Sequence, residues 1–288
     1  MSDLDARSSE HLRRGLARAM TRTISTYDLV GAGDHVMVAV SGGKDSYTLL
    51  DLLHEAQRRA PFEFRITAVH LDQRQPGYDG APLEAWLGAS GIPHEIVRED
   101  TYSEVIARTP AGKAFCTVCS RLRRGILYTT AERLGCNKIA LGHHRDDALE
   151  TLLMNLFYAG KLQAMPAGYT TDDGRFQVIR PLIECAEDEI AAHARHAGYP
   201  ILPCNLCGSQ SGLQREAMAE LLRELERKNP NVRAVMLNAL RNVSPSHLLD
   251  RGLLERLSAG SGEAKAAGDP WLGEPPEGGG RRRLPVIV

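Results

Sequence analysis

Short apolar runs alternate with longer amphipathic stretches along most of the chain. The runs are β-branched and of strand length, whereas the amphipathic stretches carry apolar residues three or four positions apart, as helices do. The predicted strands are 35–40, 64–71, 93–97, 138–141 and 176–181, and the helices that alternate with them are 46–59, 81–90, 121–134, 146–157 and 186–197. This alternation predicts an α/β fold in which helices cover both faces of a parallel sheet.

Helical patterns also flank this α/β region on both sides. Apolar residues recur at every fourth position from Leu12 to Ile24 and predict a helix at 8–28. Two more helices are predicted at 211–228 and 231–241, whereas the Gly- and Pro-rich end of the chain cannot bury enough apolar surface to order itself. The predicted parts are an N-terminal helical segment at 1–30, an α/β domain at 31–200, a small helical C-terminal part at 201–255 and a disordered tail at 256–288.

Composition and charge narrow the class of protein. The chain has 288 residues, of which 35 are basic and 36 acidic, so its net charge is -1. This balance argues against a protein that coats nucleic acid by bulk charge and leaves room for a local basic groove. The chain shows neither a membrane-length apolar stretch nor a secretory signal, so we expect a cytoplasmic protein. Without such a signal, the six cysteines favour thiol or metal chemistry over a disulfide framework.

The first predicted strand is followed by the sequence SGGKDS at residues 41–46, and a helix follows directly. Glycines let the backbone pass close to a ligand, and the start of a helix offers free N–H groups to an anion. Asp45 stands where a Walker A loop requires Ser or Thr, so this is not that motif. An ordinary glycine-rich turn is the structural alternative.

In this setting, SGGKDS resembles the PP-loop signature of the ATP pyrophosphatases, which cleave ATP between its α- and β-phosphates and adenylate a carbonyl oxygen. The resemblance implies the parallel, helix-flanked sheet of the adenine nucleotide alpha hydrolase-like proteins, with ATP bound at 31–200. It also implies a cofactor-binding loop made of Ser41, Gly42, Gly43, Lys44, Asp45 and Ser46. Lys44 and Asp45 are in addition candidate catalytic residues.

Two C-x-x-C pairs, Cys116 with Cys119 and Cys204 with Cys207, have the spacing of metal ligands. Four thiolates would suffice for a zinc ion. Three would hold an iron–sulfur cluster with one iron left open. Disulfide exchange and chance spacing are further alternatives. The remaining cysteines, Cys136 and Cys185, are predicted to be buried as small hydrophobic side chains.

Longer sequence segments around these cysteines resemble those of the tRNA 2-thiocytidine synthetase (TtcA) family. They are GKAFCTVCSRLRRGILY, LGHHRDDALETLLMNLFYAGKLQAMPAGY, ILPCNLCGSQ and NVSPSHLLD, which together with SGGKDS span residues 10 to 250 in order. The resemblance implies a 4Fe-4S cluster on Cys116, Cys119 and Cys207, where Cys207 is chosen over Cys204 because it directly precedes Gly-Ser-Gln. It implies ATP-dependent adenylation of O2 of cytidine at tRNA position 32, sulfur transfer through the cluster, and a cysteine desulfurase as sulfur donor. A homodimer is also expected.

The loop after the fourth predicted strand, GHHRDD, opens onto the ligand crevice of a parallel sheet. Asp146 or Asp147 is predicted to hold Mg²⁺ on the pyrophosphate or to assist the nucleotide substrate. The structural alternative is that Asp146 caps the helix that begins there. His143 and His144 are predicted to form hydrogen bonds rather than to catalyse.

Three basic side chains beside the first C-x-x-C, those of Arg121, Arg123 and Arg124, predict contacts with a polyanion such as tRNA, although a solvated helix face would also explain them. Other basic residues are expected to extend this surface: Lys161, Arg13, Arg14, Arg18 and Arg22. Two alternative functions remain: a PP-loop ligase acting on another base or amide, and a non-catalytic zinc-bearing nucleic-acid binder. The intact SGGKDS disfavours the binder, which needs no ATP site.

Overall fold

Six strands form a single, mostly parallel sheet. The computed structural model describes residues 3–109, 116–202 and 211–260. The strands are β1 (His35–Ala39), β2 (Arg65–Asp72), β3 (His94–Arg98), β4 (Lys138–Ala140), β5 (Gly168–Thr170) and β6 (Gln177–Ile179). Their order in the sheet is β3-β2-β1-β4-β6-β5, and β5 alone among them is antiparallel to its neighbour. The predicted α/β fold with helices around a parallel sheet is therefore confirmed.

Ten α-helices lie among the described residues. They are α1 (Asp3–Thr26), α2 (Lys44–Arg59), α3 (Ala81–Ser90), α4 (Thr101–Arg108), α5 (Cys116–Arg133), α6 (Arg145–Met154), α7 (Glu187–Ala197), α8 (Ser211–Lys228), α9 (Val232–Arg241) and α10 (Arg251–Gly260). A π-helical turn (Asn155–Ala159) follows α6, and a 3₁₀ turn (Pro245–His247) precedes α10. Of these elements, α4, α10, the two turns and strand β5 were not predicted.

The sheet is covered on both faces, as its apolar strands require. Along β1, side chains alternate between the two sides: Val36 and Val38 pack in the larger core cluster with Leu50 of α2, whereas Met37 packs in a second cluster with Ala131 of α5. The larger cluster also takes in Leu16 and Met20, which attach α1 to the domain. Burial of this hydrophobic set holds the strands, and so the loops that follow them, in place.

The structure divides the chain at a different point from the sequence prediction. The described residues up to Arg241 form one compact unit, and those from Asn242 to Gly260 belong to a second. Helices α8 and α9, predicted to lie in a separate part from residue 201, belong to the first unit because Met218 and Leu222 of α8 pack on Leu149 and Leu153 of α6. Helix α10 extends to Gly260, into the predicted tail. The rest of that tail lies outside the described residues. None of the described helices could cross a membrane.

The strand order creates a crevice at the carboxyl ends of the central strands. The chain runs from β1 to its neighbour β2 on one side, and later returns to place β4 on the other side of β1. Loops that leave the carboxyl ends of β1 and β4 therefore diverge, and ligands of open α/β sheets bind at such a switch point. The two predicted motifs, SGGKDS and GHHRDD, are those two loops.

Candidate active site

The loop at residues 41–46 is folded around its own hydroxyl groups. The Oγ atoms of Ser41 and Ser46 lie 3.3 Å apart, the Gly43 N–H donates to Ser41 Oγ at 3.4 Å, and Ser46 Oγ donates to the Gly43 carbonyl at 2.9 Å. Gly43 is the N-cap of α2, and no described side chain caps this end. The first N–H groups of α2 are thus available to an anion, and the helix dipole favours one.

Gly42 allows the tight passage of this loop. Its φ of +86° lies in the left-handed region, which favours glycine. Its carbonyl accepts a hydrogen bond from the Leu202 N–H at 3.0 Å. A Cβ on Gly42 would lie 3.0 Å from the nearest atom of the Leu202 side chain. Leu202 therefore closes one wall of the site and, in the sequence, stands two residues before Cys204 and five before Cys207.

Lys44 is held between two carboxylates. Its Nζ lies 3.2 Å from Asp45 Oδ1 and 3.0 Å from Glu187 Oε1 at the start of α7. Burial opposes the charge on Lys44, but the two acids outweigh it, so the pKa of Lys44 is raised. Burial also raises the pKa of Asp45, although Lys44 and His144 act against that shift. Lys44 is thus a fully charged cation whose charge is compensated within the protein.

The loop after β4 lies directly against the phosphate loop. A Cβ on Gly142 would lie 3.0 Å from the backbone carbon of Asp45 and 3.1 Å from the Ser46 nitrogen. Those contacts are with backbone atoms, which cannot move aside as the end of a flexible side chain can. Glycine at 142 is therefore what allows the two loops to share one site.

Helix α6 is capped by a histidine rather than by the predicted aspartate. The Asp147 N–H donates to Nδ1 of His144 at 3.4 Å, and the His144 N–H donates to Asp147 Oδ2 at 3.1 Å, which together make a capping box. The alternative that Asp146 caps α6 is wrong. Asp146 lies inside the first turn of α6 and takes no part in this cap.

Asp146 instead joins α6 to two other helices. Its Oδ2 accepts from the Glu187 N–H at 2.8 Å and so caps α7, where Ala186 has no side chain able to do this. Its Oδ1 pairs with Arg233 of α9 and lies 3.4 Å from Arg145 Nη2. Only 2% of its side chain is exposed. Burial acts to raise the pKa of Asp146, but the Glu187 amide and the arginines outweigh it and lower that pKa.

Asp147 faces the opposite way, into a cavity of 440 Å³. The lining includes residues of the phosphate loop, His143 and Asp147 from the β4–α6 loop, and Gln73, Tyr78, Arg123 and Leu202. Asp147 Oδ1 lies 3.3 Å from Nη1 of Arg215, at the start of α8. A carboxylate at this position faces the space beside the helix N-terminus where an anion would bind.

Two titratable groups beside Asp147 have strongly shifted pKa values. Burial lowers the pKa of His143 to about 4, with Arg180 and Arg215 adding to that shift and Asp147 opposing it, so His143 is neutral at physiological pH. Burial raises the pKa of Glu150 to about 7, with Asp147 and Glu187 adding to it and Arg215 opposing it. Such shifts are typical of functional sites.

The Cys119 thiol lies beside the same cavity, in contact with two side chains of its lining. Its Sγ lies 3.5 Å from Gln73 Oε1 and accepts a hydrogen bond from Arg123 Nη2 at 3.3 Å, and both partners line the cavity. Arg123 was predicted to contact a polyanion on the surface together with Arg121 and Arg124. The structure leaves only those two exposed and turns Arg123 inward, because it shares the helix face of Cys119, four positions earlier.

A histidine–tyrosine pair lies at the carboxyl end of β2. His70 Nδ1 lies 2.7 Å from the Val40 carbonyl, and Tyr78 Oη lies 2.6 Å from His70 Nε2. Burial lowers the pKa of His70 and raises the pKa of Tyr78 to about 12. Both groups are therefore neutral hydrogen-bonding partners for an uncharged part of a ligand.

Five of the eleven predicted site residues line this cavity. The lining contains Ser41, Gly43, Asp45, Ser46 and Asp147. Gly42 and Lys44 lie in the same loop, whereas Asp146 is turned away. Cys116 begins α5, three residues before Cys119, but its side chain and the whole of Cys204 and Cys207 lie outside the described residues. Cys136 and Cys185 are buried, as predicted, and burial raises their thiol pKa values to about 11 and about 12.

Several residues of the site were not predicted from the sequence. They are Glu187, Glu150, Arg215, Gln73, His70 and Tyr78. An acidic residue in the first turn of a helix, such as Glu187, is ordinary because of the helix dipole, so its sequence context did not distinguish it. The location of His70 and Gln73 at the end of a predicted strand was the one usable signal, since the carboxyl ends of parallel strands meet at the crevice.

Comparisons with known proteins agree with this geometry. The family model described as PP-loop domain matches residues 15–201. A tRNA-cytidine(32) 2-sulfurtransferase of Sorangium cellulosum is 54% identical over 246 residues, covering 85% of this chain and 87% of the relative. One of Tolumonas auensis is 50% identical over 264 residues, covering 91% and 87%.

A solved structure has the same fold. The U34-tRNA thiolase NcsA from Methanococcus maripaludis, with its 4Fe-4S cluster, superposes with a TM-score of 0.64 over 82% of this chain and 81% of that chain. Its sequence identity is 23%, so this likeness shows the fold alone. The sequence relatives and the PP-loop match go further: this chain belongs to the tRNA-cytidine(32) 2-sulfurtransferase family of PP-loop proteins.

Proposed function

We propose that this protein replaces O2 of cytidine 32 in tRNA with sulfur at the expense of ATP. The observation that carries the proposal is that one cavity contains the PP-loop, Asp147 and the contacts of the Cys119 thiol. An ATP site and a cysteine site beside one cavity would let both act on the same substrate atom. The curated relatives with this name match most of the chain, which supports cytidine 32 as the target.

ATP is proposed to bind with its phosphates at the N-terminus of α2. Ser41, Gly42, Gly43 and Ser46 would cradle the pyrophosphate part, while Lys44 and Asp45 act beside it. Asp147 is proposed as the Mg²⁺ ligand because its carboxylate faces the cavity, whereas Asp146 is engaged by the α7 N-terminus and by Arg233. A metal at Asp147 would offset phosphate charge during the displacement.

The chemistry has two displacement steps. Cytidine O2 attacks the α-phosphorus of ATP and an O–P bond forms. The bond from the α-phosphorus to the bridging oxygen breaks, and pyrophosphate leaves with its electron pair. Sulfide then forms a bond to C2 of the base, and AMP departs with the former O2. The first step is needed because a carbonyl oxygen is a poor leaving group. The cation of Lys44 and the free N–H groups of α2 would stabilise charge on the phosphates as it develops.

A 4Fe-4S cluster is proposed on Cys116, Cys119 and Cys207. The described part of this set fits: Cys119 is buried, and its Sγ accepts a hydrogen bond from the Arg123 guanidinium. Cys116 stands three positions before Cys119 on α5, and such positions share a helix face. When bound, a cluster with three protein ligands supplies an open iron for incoming sulfide. A cysteine desulfurase is proposed as the donor of that sulfur.

The test is thiolation of tRNA by variants of the PP-loop. Lys44→Ala and Asp45→Ala should each abolish ATP-dependent formation of 2-thiocytidine, measured by mass spectrometry of nucleosides from the reacted tRNA. Lys228→Ala, at the exposed end of α8, is the matched control and should thiolate as the unchanged chain does. Full thiolation by either PP-loop variant would remove this loop from the mechanism. Thiolation of a different base would support the alternative PP-loop ligase.

The proposal also includes a cytoplasmic location and a homodimeric state. An enzyme of cytosolic tRNA would act in the cytoplasm, which a tagged chain can test by fractionation. The expected homodimer is tested by sedimentation of the loaded protein with and without tRNA.

A further inference from the structure

An exposed apolar surface follows helix α6. Residues 156–163 are all exposed. Among them Leu156, Phe157, Tyr158 and Leu162 have exposed fractions of 46%, 55%, 56% and 64%. We name residues 156–162 the aromatic turn. Large apolar side chains scattered singly on a surface are ordinary, but a contiguous group of them marks a binding surface.

The π-helical turn brings these side chains to the surface. Leu149 and Leu153 of α6 pack against α8. In a continuing α-helix, Leu156 and Phe157 would lie on the face of Leu153, three and four positions later. The chain instead takes the wider π turn at Asn155–Ala159, which changes the direction of the side chains that follow. Single π turns of this kind are frequent at functional sites.

Asn155 holds the aromatic turn in one shape. Its side-chain amide donates to the Gln163 carbonyl at 2.7 Å, and its own carbonyl accepts from the Lys161 N–H at 3.0 Å. Gly160 makes the reversal possible with a φ of +61°. A surface held in this way loses less conformational entropy when a partner binds.

The charge around the aromatic turn suits a polyanion. Residues 151–171 contain no aspartate or glutamate, in a chain where 36 of 288 residues are acidic. Lys161 lies within the turn and is exposed. Exposed aromatic rings beside a cation, without acidic neighbours, are the features on which unpaired nucleic-acid bases stack.

Arg180 connects the segment that follows the aromatic turn with the active site. This residue directly follows β6, so it lies at the carboxyl end of the parallel strands, as the PP-loop does. Its Nη1 donates to the Pro166 carbonyl at 2.9 Å, and its guanidinium carbon lies 5.3 Å from the centre of the Tyr169 ring, which is itself exposed. Arg180 also helps to lower the pKa of His143 in the cavity.

We propose that the aromatic turn is the platform on which unpaired nucleotides next to the reacting cytidine stack. This inference rests on the proposed function. The O2 atom of cytidine lies on its pairing edge, so the base must be unpaired to react, and its neighbours in a loop are available to stack on aromatic side chains. Phe157 and Tyr158 would each take a base, while Lys161 contacts a phosphate.

A second copy of the chain is the competing occupant of this surface. The connection with the active site through Arg180 and the absence of acidic residues favour RNA, because a protein partner would need neither. The two occupants differ in what they require of position 157. Base stacking needs an aromatic ring, whereas a protein interface needs apolar area, which leucine also provides.

The experiment measures the affinity of the full, cluster-loaded chain for a tRNA transcript with cytidine at position 32, by fluorescence anisotropy. Phe157→Leu and Tyr158→Leu should each weaken binding by roughly five- to a hundredfold, the range for loss of one stacked base. Phe157→Tyr keeps the ring and should bind as the unchanged chain does. Val235→Ala, equally exposed on α9, is the control for loss of apolar surface elsewhere.

Salt dependence separates stacking from charge. Lys161→Ala should reduce the slope of log affinity against log salt by about one, whereas Phe157→Leu should leave that slope unchanged. Sedimentation of each variant follows the oligomeric state. Unchanged tRNA affinity in Phe157→Leu overturns the proposal, as does a dimer that dissociates on this substitution while each subunit still binds RNA normally. If the unchanged chain itself does not bind tRNA, the proposed function fails as well, and this distinguishes the two.

Discussion

Asp146 and Asp147 are neighbours in the chain whose carboxylates lie in different environments. Asp146 is buried and holds the N-terminus of α7 and Arg233 of α9, so it fastens two helices to α6. Asp147 faces the cavity. Consecutive side chains of a helix point about 100° apart. One aspartate of the pair can therefore hold neighbouring helices in place while the other faces the cavity.

Substitution should separate these two contributions. Asp146→Asn should lower the free energy of unfolding by about 3 kcal/mol, because it removes the buried carboxylate that pairs with Arg233 and leaves this arginine with the more exposed Glu226. Asp147→Asn should leave unfolding nearly unchanged and slow pyrophosphate release by at least roughly tenfold, because a neutral amide is a poor Mg²⁺ ligand. Urea unfolding and a pyrophosphate-release assay measure the two effects. Equal stability of both variants would contradict this assignment.

At the scale of elements, two loops from different strands form the site only because they lie in backbone contact. Gly142 sets that distance against Asp45 and Ser46. Gly142→Ala should therefore displace the PP-loop and weaken ATP binding, which isothermal titration measures. The matched change Gly88→Ala, where nothing lies within 4 Å of the added carbon, should leave ATP binding intact and stabilise α3 by up to about 1 kcal/mol. Normal ATP affinity in Gly142→Ala would show that the loops can separate without loss.

The same scale shows which elements the sequence could predict. The alternation of apolar strands and amphipathic helices was enough for the centre of the sheet, since strands β1 and β4 are buried almost throughout. It was not enough for α4, which is eight residues long and is stabilised locally by Asp100, whose side chain accepts from the Ser103 N–H at 3.0 Å. Strand β5 is three residues long and depends on pairing with β6, a tertiary contact without a periodic signal.

At the scale of the molecule, the metal content is the sharpest test of the proposed site. Anaerobically purified protein should be brown, with about four irons per chain and broad visible absorbance. Cys116→Ala, Cys119→Ala and Cys207→Ala should lose iron and activity. Cys204→Ala, Cys136→Ala and Cys185→Ala should keep the iron, since the last two thiols are buried in the core.

Iron and zinc analysis of each preparation measures these outcomes. Colourless protein with one zinc would support the four-cysteine alternative instead. Loss of iron from Cys204→Ala but not from Cys207→Ala would identify Cys204 as the third ligand in place of Cys207. The proposed chemistry would remain unchanged.

The motifs of the site could be predicted from the sequence, but the partners of their side chains could not. SGGKDS and GHHRDD are short, contiguous sequence motifs. Each follows a parallel strand, and this position brings them together. Glu187 and Arg215 come from helices far along the chain, and their approach to Lys44 and Asp147 depends on how α7 and α8 pack. Charge partners of this kind are set by tertiary packing, which a single sequence does not reveal.

The pairing of Lys44 with Glu187 has a consequence for turnover. An anion that takes Lys44 must displace a carboxylate already 3.0 Å from its Nζ, and the carboxylate returns when the anion leaves. This competition weakens every phosphate ligand, the substrate and the departing pyrophosphate alike, and so it does not favour the transition state over either. In the proposed mechanism the effect is on residence time: Glu187 would compete with pyrophosphate for Lys44, and pyrophosphate would leave sooner than the charge of the loop alone would allow.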